Sequence, residues 1–438
     1  MPSATDLLAY LKLQLEQFPE PHRYLVGFSG GLDSSVLLHA LFQLKLEVPI
    51  IAIHIDHSIH PQSHEWQRHC AEFAKQLSVD FRPLVINGKA PVGESPEAWA
   101  REKRYQAFRR FMEPDDLLLL GQHRDDQIET FLLRLLRGAG PHGLSAMKRL
   151  TFFSGGWIGR PFLELERHYL KDYAKRYALH WIEDPSNHEL RYDRNYLRQK
   201  VIPVIRERWP SFTVNINRSI SLLADTTVLL DEIAAQDLAR VTDQGSTSIS
   251  IKTLSGLCEI RLRNLLHYWI RKEGFPVPTE CKLRQIIDTV IRAKEDRSPC
   301  VEWQGVEVRR YRDQLMILNP LGEHDSSLSY CWNLEHPMKI STGTLRARKI
   351  KGAGFRIDGN TVEVRFRQGG ETFRQAGKRH TTTLKKYLQE KGIPPWLRDR
   401  IPLIYLDGEL VAIADLCIAD KFSVDTNTMG WMIEFIPD

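Results

Sequence analysis

Tyr24-Leu-Val-Gly-Phe-Ser-Gly-Gly-Leu-Asp-Ser34 joins a short apolar run to a glycine turn and the start of a helical pattern. Residues 24–28 predict a buried strand, and residues 33–44 have the spacing of a helix. Two glycines allow the backbone to turn tightly and to approach a ligand closely, and the free amides of a first helical turn attract anions. Strand, loop and helix together predict a phosphate-binding turn at residues 29–34.

The same alternation of strand and helix patterns continues through the first 185 residues. Further buried strands are predicted at residues 50–55, 81–86 and 116–120, and helices at residues 63–77, 95–111 and 124–137. Ser95 is the predicted N-cap of the third helix, with Pro96 at its first position. This rhythm predicts an α/β domain built on a doubly wound parallel sheet.

Beyond Pro203 the rhythm stops, which indicates more than one domain in a chain of 438 residues. Helices are predicted at residues 211–239, 257–272 and 280–294, an antiparallel hairpin at 299–321, a linker at 322–337, strands at 361–367, 403–406 and 410–414, and a helix at 383–391. We therefore predict a catalytic domain at residues 1–210, a mainly helical linker domain at 211–321 and a small α+β domain at 322–438.

Composition places the chain among globular proteins, with 42% hydrophobic and 26% charged residues. These values exclude a disordered, collagen-like or coiled-coil chain. No apolar run approaches the roughly 18–20 residues of a membrane span, and no signal-like segment follows Met1, so a cytoplasmic protein is expected. The six cysteines are single and form no Cys-x-x-Cys pair, which argues against a disulfide framework or a zinc ribbon.

Positive charge is concentrated in residues 365–400, where ten lysines and arginines face three acidic residues. Tyr387 and Trp396 are interleaved with them. Such a patch suits a polyphosphate backbone, although a solvated charged face is the simpler interpretation. The residues predicted to contact nucleic acid here are Lys378, Arg379, Lys385 and Lys386.

Polar residues follow the second and fourth predicted strands, whose carboxyl ends should face a ligand crevice. His54-Ile-Asp-His57 and Ser58-Ile-His60 come after the second strand, either as polar contacts to a nucleotide or as part of a metal site. In Gly121-Gln-His-Arg-Asp-Asp-Gln-Ile-Glu-Thr130, Asp126 and Glu129 are three apart and share one helical face. They could grip an ammonium group or a metal, or merely complement the helix dipole.

Two further motifs complete the predicted site. Arg137-Gly-Ala-Gly-Pro-His-Gly143 forms a glycine-rich loop after the fourth helix. Asp184-Pro-Ser-Asn187 is a turn signal, and Arg194 and Arg198 follow it. Arginines in this position could bind a carboxylate or a phosphate.

The segment Ser29-Gly-Gly-Leu-Asp-Ser34 resembles the pyrophosphate loop (PP-loop) of the N-type ATP pyrophosphatases, which cleave ATP to AMP and pyrophosphate. It lacks the lysine of a Walker P-loop. Together with the motifs above, Glu97 to Tyr105, Phe366-Arg-Gln-Gly-Gly-Glu371 and Ile393-Pro-Pro-Trp396, it resembles the tRNA(Ile)-lysidine synthetase family. The chain departs from that family's usual pattern at His54-Ile-Asp-His57 and at Glu189.

This resemblance implies ATP-dependent attachment of free L-lysine to C2 of the wobble cytidine of a CAU-anticodon tRNA(Ile), with Mg²⁺ and an adenylated tRNA intermediate. The modified base decodes AUA instead of AUG. The resemblance also implies a homodimer as one arrangement. For ATP the implied residues are Ser29, Gly30, Gly31, Leu32, Asp33 and Ser34, with Asp33 also binding Mg²⁺. Lysine is expected to bind at Asp126, Glu129 and Arg194, and tRNA at Arg101 and Arg104 in addition to the basic patch. The implied catalytic residues are Asp33, Asp126 and Glu129.

Three questions stay open on the sequence alone. A tRNA thiolase of the same family is one alternative, although this chain offers no cysteine pair. The second alternative is a non-catalytic, ATP-gated RNA-binding module, which would not explain the function of Asp126 and Glu129. The base that deprotonates the lysine amine could be Asp126, Glu129, His123 or solvent.

Overall fold

The computed structural model describes residues 6–56, 62–86, 88, 90–91, 96–242, 248–294 and 297–437. The chain divides into two compact units, Met1–Ile233 and Ala234–Asp438, here called the N-terminal and C-terminal units. None of the helices in the described ranges combines the length and hydropathy needed to cross a bilayer. The three-domain boundaries predicted above remain a prediction.

A six-stranded sheet organises the N-terminal unit. Its strands are β1 (Tyr24–Gly27), β2 (Ile50–Asp56), β3 (Asp80–Val85), β4 (Leu117–Leu119), β5 (Leu150–Phe153) and β6 (Gly156–Gly159). Their order is β3-β2-β1-β4-β6-β5, and every neighbouring pair is parallel except β5 and β6. The doubly wound parallel sheet is therefore confirmed, with one antiparallel edge strand that the sequence pattern did not predict.

The helices of residues 6–241 include those that cover both faces of this sheet. The helices are α1 (Asp6–Leu15), α2 (Leu32–Gln43), α3 (Ser63–Gln76), α4 (Pro96–Phe111), α5 (Arg124–Leu136), α6 (Pro141–Leu144), α7 (Arg167–Arg176), α8 (Asp193–Tyr196), α9 (Ile202–Arg208) and α10 (Phe212–Val241), with a 3₁₀ turn at Pro185–His188 and a π-helical turn at Leu197–Val201. Leu25 of β1 packs with α4, whereas its neighbours Tyr24 and Val26 pack with α1, α2, α3 and α7. Successive side chains of a strand point to opposite faces, so both faces are buried.

The prediction that residues 81–86 form a buried strand is wrong in one respect. β3 forms, but it is the edge strand of the sheet, and Val85 is 58% exposed. Pro83 in its middle has no amide hydrogen to donate, which suits an edge position. Ser95, the predicted N-cap, lies outside the described residues, while Pro96 does begin α4 as predicted.

The C-terminal unit combines helices with small antiparallel sheets. Its first part contains β7 (Ile249–Ser250), α11 (Ile251–Leu254), α12 (Glu259–Lys272), α13 (Glu280–Gln285), a π-helical turn at Ile286–Ile291, β8 (Cys300–Trp303), β9 (Val306–Tyr311) and β10 (Gln314–Leu318). Its second part contains β11 (Ser329–Asn333), β12 (Met338–Ile340), β13 (Gly343–Lys351), β14 (Thr361–Arg365), β15 (Thr372–Arg374), β16 (Thr381–Thr383), α14 (Leu384–Glu390), α15 (Pro395–Arg398), β17 (Leu403–Leu406), β18 (Glu409–Ile413), β19 (Cys417–Ile418) and β20 (Met429–Pro437).

The linker predicted at residues 322–337 is only partly correct, because β11 lies within it. β11 pairs antiparallel with β14 and contributes the buried Trp332 to the core of this unit. Only Trp332 of the five strand residues is fully buried, so the strand has too weak an apolar pattern to be recognised in the sequence.

Candidate functional site

The candidate site lies at the carboxyl ends of β1 and β4, which are adjacent parallel strands. The chain leaves β1 towards β2 on one side, and β4 lies on the other, so the strand order reverses here. Such a reversal opens a crevice above the sheet, where α/β proteins bind their ligands. The glycine turn follows β1, and the loop from Gly121 to His123 follows β4. Gly121 permits their close approach, because a Cβ there would lie 2.8 Å from the backbone oxygen of Asp33.

Gly30 seats the glycine turn against Cys70 and Ile182. Gly30 has φ of +80°, and a Cβ on it would lie 2.7 Å from both the buried sulfur of Cys70 and the Cδ1 of Ile182. Its carbonyl accepts hydrogen bonds from the amide of Ile182 at 2.8 Å and from the Ser35 hydroxyl at 3.4 Å. Only glycine meets both demands, a left-handed backbone and contact with neighbours on the Cβ side.

The hydroxyls of Ser29 and Ser34 contact each other across the open side of the turn. Ser29 and Ser34 lie 3.1 Å apart, and the Ser34 hydroxyl also accepts from the Ser29 amide at 3.2 Å. Gly31 is the N-cap of α2 in an extended conformation, and having no side chain it makes no capping hydrogen bond to the helix. The first amides of α2 therefore remain available to an anion, as the sequence predicts.

Asp33 stands at the start of α2, facing His123 and Arg167. Its Oδ2 is 3.6 Å from His123 Nε2, and its Oδ1 is 3.7 Å from Arg167 Nε. That Oδ1 is buried and accepts no hydrogen bond from any described residue. Burial disfavours the charged form of His123, but Asp126 and Asp33 together outweigh it and raise the pKa of His123. The site thus carries a carboxylate oxygen without a donor among the described residues, beside an imidazole whose pKa is raised.

Asp126 and Glu129 lie on one face of α5, as predicted, and both form ion pairs with arginines. Arg194 binds Asp126 at 2.7 Å and Glu129 at 2.6 Å. Arg198 binds both oxygens of Glu129, at 2.6 and 2.9 Å. Further along, in α9, Arg206 binds Asp125 at 2.8 Å. We call these six residues the ion-pair cluster.

Burial and charge act against each other within the ion-pair cluster. Glu129 is only 1% exposed, so its charge depends on the two arginines that surround it. Burial alone would raise the pKa of Asp126, but His123 and Arg194 outweigh burial and lower it. Burial likewise opposes the charge of Arg194, and Asp126 and Glu129 overcome it and raise the pKa of the guanidinium. The surroundings of Asp126 and of Arg194 therefore favour the charged form of each group.

A pocket opens beside the ion-pair cluster. It is lined by His123, Asp125, Ile128, Glu129, Arg167, Arg198, Ile202 and Arg206. Three guanidinium groups and two carboxylates face it, so it offers contacts to both ends of a zwitterion or to a phosphate and an ammonium group. Arg198 was predicted as a possible ligand of a carboxylate or a phosphate, whereas Arg167, at the first position of α7, and Arg206 had no sequence signal.

The remaining predicted residues lie at several positions. His54 is buried, its Nδ1 is 3.0 Å from the carbonyl of Phe28, and burial lowers its pKa. His57, Ser58 and His60 lie outside the described residues. On α4, Arg104 is exposed, and the Arg101 guanidinium lies 5.0 Å from the centre of the Tyr105 ring. Cys70 is buried and has the raised thiol pKa, about 12, of a core cysteine.

The basic patch lies in the second part of the C-terminal unit. Lys378, Arg379, Lys385 and Lys386 are all exposed. Among the described residues, Lys386 and several arginines of the patch form ion pairs with acidic side chains. Lys378, Arg379 and Lys385 form no ion pair with any described residue. The pairs are Arg365 with Glu363, Arg367 with Asp399, Arg374 with Asp420 and Lys386 with Glu390.

Known protein families match three stretches of the chain. A PP-loop domain matches residues 6–205, a TilS substrate binding domain residues 249–316 and a TilS substrate C-terminal domain residues 362–435. The PP-loop match supports the use of ATP by the N-terminal unit.

Named relatives match almost the whole chain. A tRNA(Ile)-lysidine synthase from Coxiella burnetii is 39% identical over 94% of this chain and 93% of its own length. Another from Methylococcus capsulatus is 39% identical over 94% and 96%, and one from Yersinia pseudotuberculosis is 37% identical over 96% and 97%. With such identity over nearly full length, the chain belongs to the tRNA(Ile)-lysidine synthase family.

Proposed function

We propose that this chain attaches free L-lysine to C2 of the wobble cytidine in a CAU-anticodon tRNA(Ile), converting ATP to AMP and pyrophosphate. The observation that carries the proposal is the 39% identity to a tRNA(Ile)-lysidine synthase over 94% of the chain. The crevice at β1 and β4 supports it, because the glycine turn lies there and the pocket beside it carries charges of both signs, as an amino acid does. We place the reaction in the cytoplasm, where tRNA, ATP and lysine are all available. The homodimer implied by the sequence resemblance stays a prediction.

ATP is proposed to bind at Ser29, Gly30, Gly31, Leu32, Asp33 and Ser34. The uncapped amides of α2 and the two hydroxyls would hold its phosphates. Mg²⁺ suits Asp33, because this carboxylate has a buried oxygen without a donor among the described residues, and oxygen is the ligand that Mg²⁺ prefers. When bound, the ion would neutralise charge on the phosphates. Arg167 would add a second positive group beside the same carboxylate.

The proposed chemistry has two steps. The C2 oxygen of the cytidine attacks the α-phosphorus of ATP, and pyrophosphate leaves. The ε-amine of lysine then attacks C2, the bond from C2 to the adenylated oxygen breaks, AMP leaves, and the amine loses a proton. Asp33, Asp126 and Glu129 are proposed as the catalytic residues, since Glu129 lines the pocket and the other two carboxylates lie 3.6 and 3.5 Å from His123, which also lines it. Most of the acceleration would come from positioning the two reactants.

Lysine is proposed to bind at Asp126, Glu129 and Arg194. The arginines already neutralise both carboxylates, so the incoming ammonium group would have to share them with Arg194 and Arg198. The guanidinium groups thereby released would face the carboxylate of lysine or the phosphate of AMP. Binding of lysine would thus exchange partners within the ion-pair cluster instead of filling a preformed empty site.

A labelled-lysine assay tests the proposed function. The purified chain is mixed with Mg·ATP, labelled lysine and either tRNA(Ile) bearing CAU or elongator methionine tRNA, and AMP is followed in parallel. We expect one AMP for each lysine incorporated into the first tRNA only, and loss of both with Asp33→Ala. AMP formation without lysine transfer would point to a thiolase-type relative, and no AMP with either tRNA to the non-catalytic RNA-binding module.

The tRNA is proposed to contact Arg101 and Arg104 as well as Lys378, Arg379, Lys385 and Lys386. Replacing the three without an acidic partner among the described residues, Lys378, Arg379 and Lys385, by alanine should weaken binding to any tRNA and reduce the dependence of log K on log salt by up to about 3, since each phosphate contact contributes roughly 0.7–0.9. Filter binding at salt concentrations from about 50 to about 300 mM would measure this slope.

The matched control for the basic patch replaces Arg365, Arg367 and Arg374 by alanine. These arginines carry the same charge in the same segment, but each is already paired with an acidic side chain. Their loss should change the salt dependence much less. Equal effects of the two sets would show that general charge, and not the unpaired lysines and Arg379, attracts the tRNA.

A further inference from the structure

Residues 182–198, here called the strap, connect the glycine turn to the ion-pair cluster. At one end the amide of Ile182 donates to the carbonyl of Gly30 at 2.8 Å. At the other end Arg194 and Arg198 bind Glu129. One stretch of 17 residues (182 through 198) therefore touches both the proposed ATP loop and the proposed lysine-binding residues.

The first end of the strap is firmly seated. Leu179, Trp181 and Ile182 pack against the core that α1, α2, α3 and α7 form with the sheet. Ile182 also fills the space on the Cβ side of Gly30. The strap therefore begins from a fixed point directly below the glycine turn.

The middle of the strap is folded by side-chain hydrogen bonds. Asp184 Oδ1 accepts from the amide of Ser186 at 2.8 Å and caps the 3₁₀ turn at Pro185–His188. Asn195, only 8% exposed, then donates from its Nδ2 to the carbonyls of Ser186 at 2.8 Å and Glu189 at 3.0 Å. Both hydrogens of this amide are thus used to hold the helical end of the strap onto its turn.

Asn195 stands between the two arginines in the sequence, and among the described residues its side-chain amide donates to the strap and not to Asp126 or Glu129. Arg194 and Arg198 are long side chains, and ordering them costs conformational entropy unless their backbone is already fixed. The hydrogen bonds of Asn195 provide that fixation, because they tie the arginine-bearing helix to a turn that is itself anchored below the ATP loop.

We propose that Asn195 is a positioning residue, which sets Arg194 and Arg198 at the proper distance from the ATP loop and so prepares the lysine-binding residues. This inference rests on the proposed function in assigning lysine to the ion-pair cluster. Asn195 would touch neither ATP nor lysine. The strap, one continuous segment, would thereby hold the amine-binding residues at a fixed distance from the phosphates of ATP.

Two substitutions in the full chain separate hydrogen bonding from simple space filling. Asn195→Ala removes the amide. Asn195→Asp keeps its size but turns an oxygen towards the two carbonyl oxygens, so the donors are lost and replaced by repulsion. If the side chain only fills space, Asn195→Ala should lower the melting temperature without a selective loss of lysine affinity. If its hydrogen bonds position the arginines, both variants should be impaired.

Lysine binding is measured by equilibrium dialysis with labelled lysine in the presence of α,β-methylene-ATP, which resists cleavage to AMP. Affinity for the analogue is measured separately by calorimetry. We expect both variants to bind lysine at least about 10-fold more weakly, and the analogue within about 3-fold of the unsubstituted chain. Unchanged lysine affinity in Asn195→Asp, or an equal loss of both ligands, would overturn the proposal.

A control and a second readout keep this result interpretable. Gln14 is another buried amide of the same unit, 6% exposed, which accepts from Arg149 at 2.9 Å. Gln14→Ala should lower the melting temperature without changing lysine affinity. Hydrogen exchange should accelerate at least about 10-fold at residues 193–201 in the Asn195 variants and stay unchanged at residues 24–43.

The two arms also separate this inference from the proposed function. If the unsubstituted chain binds no lysine, the proposed function fails, while hydrogen exchange still decides whether Asn195 fixes the arginine-bearing segment. If lysine binds but exchange at residues 193–201 is the same in all variants, the positioning role fails and the proposed function stands.

Discussion

An alanine at position 30 should lower tRNA-dependent AMP formation at least 100-fold. Gly30 has φ of +80°, a conformation that costs an L-residue roughly 1–2 kcal/mol. The added Cβ would also lie 2.7 Å from the buried sulfur of Cys70, and such overpacking costs about 1–3 kcal/mol. The turn must shift to relieve both, and a displacement of about 1 Å at reacting groups can cost about 100-fold in rate.

Gly31→Ala is the matched comparison for folding. Gly31 has φ of −75°, and the nearest atom to a Cβ there would be the Ser29 hydroxyl oxygen at 3.4 Å. Thermal unfolding should show a melting temperature lowered by about 8 °C in Gly30→Ala and by little in Gly31→Ala. If Gly30→Ala keeps its melting temperature and its AMP formation, the turn is not seated as described.

Glu129→Gln should abolish lysine transfer, with a loss of about 1000-fold or more, while pyrophosphate release on tRNA(Ile) persists. Glu129 is 1% exposed and accepts three hydrogen bonds from Arg194 and Arg198. A neutral amide cannot balance two guanidinium groups, and leaving a buried charge unpaired costs roughly 3–5 kcal/mol. The glycine turn lies outside this cluster, so adenylation should continue. Parallel assays of pyrophosphate and labelled lysine would show the split.

Asp80→Asn controls for loss of a paired negative charge in the same unit but away from the pocket. Asp80 is 48% exposed and makes its ion pair with Arg82, which is 57% exposed. Ion pairs this close to solvent contribute little, about 0–1 kcal/mol. Lysine transfer should therefore stay within a few-fold of the native rate. A parallel decline of pyrophosphate release and lysine transfer in Glu129→Gln would instead indicate general unfolding.

The sequence predicts the strands and helices of the N-terminal unit well, because strong periodicity is bounded there by glycine turns and a helix-starting proline. It predicts less where a strand has one buried residue, as in β11, or where burial depends on a neighbour, as in β3. The antiparallel edge strand β5 was missed for a similar reason. Its partner β6 contains two glycines, which weaken any strand pattern.

For the site, sequence motifs predict which loops converge but not which charges pair. Asp126 and Glu129 were placed on one helical face by spacing alone, and that face was confirmed. Their arginine partners come from a segment 65 and 69 residues away, and no local pattern specifies such pairing. Arg167 was missed because a lone arginine at the start of a helix has no distinguishing signal until the fold brings it to Asp33.

The hydrogen bond from Ile182 to Gly30 also orders the events of synthesis. The glycine turn emerges from the ribosome about 150 residues before the strap that supports it. At about 5–20 residues per second, that interval lasts roughly 8–30 s. During this time β1 and α2 exist without the backbone donor to Gly30 and without the arginines that neutralise Glu129. A nascent or truncated chain ending before residue 182 therefore carries every residue of the ATP loop yet lacks its working shape.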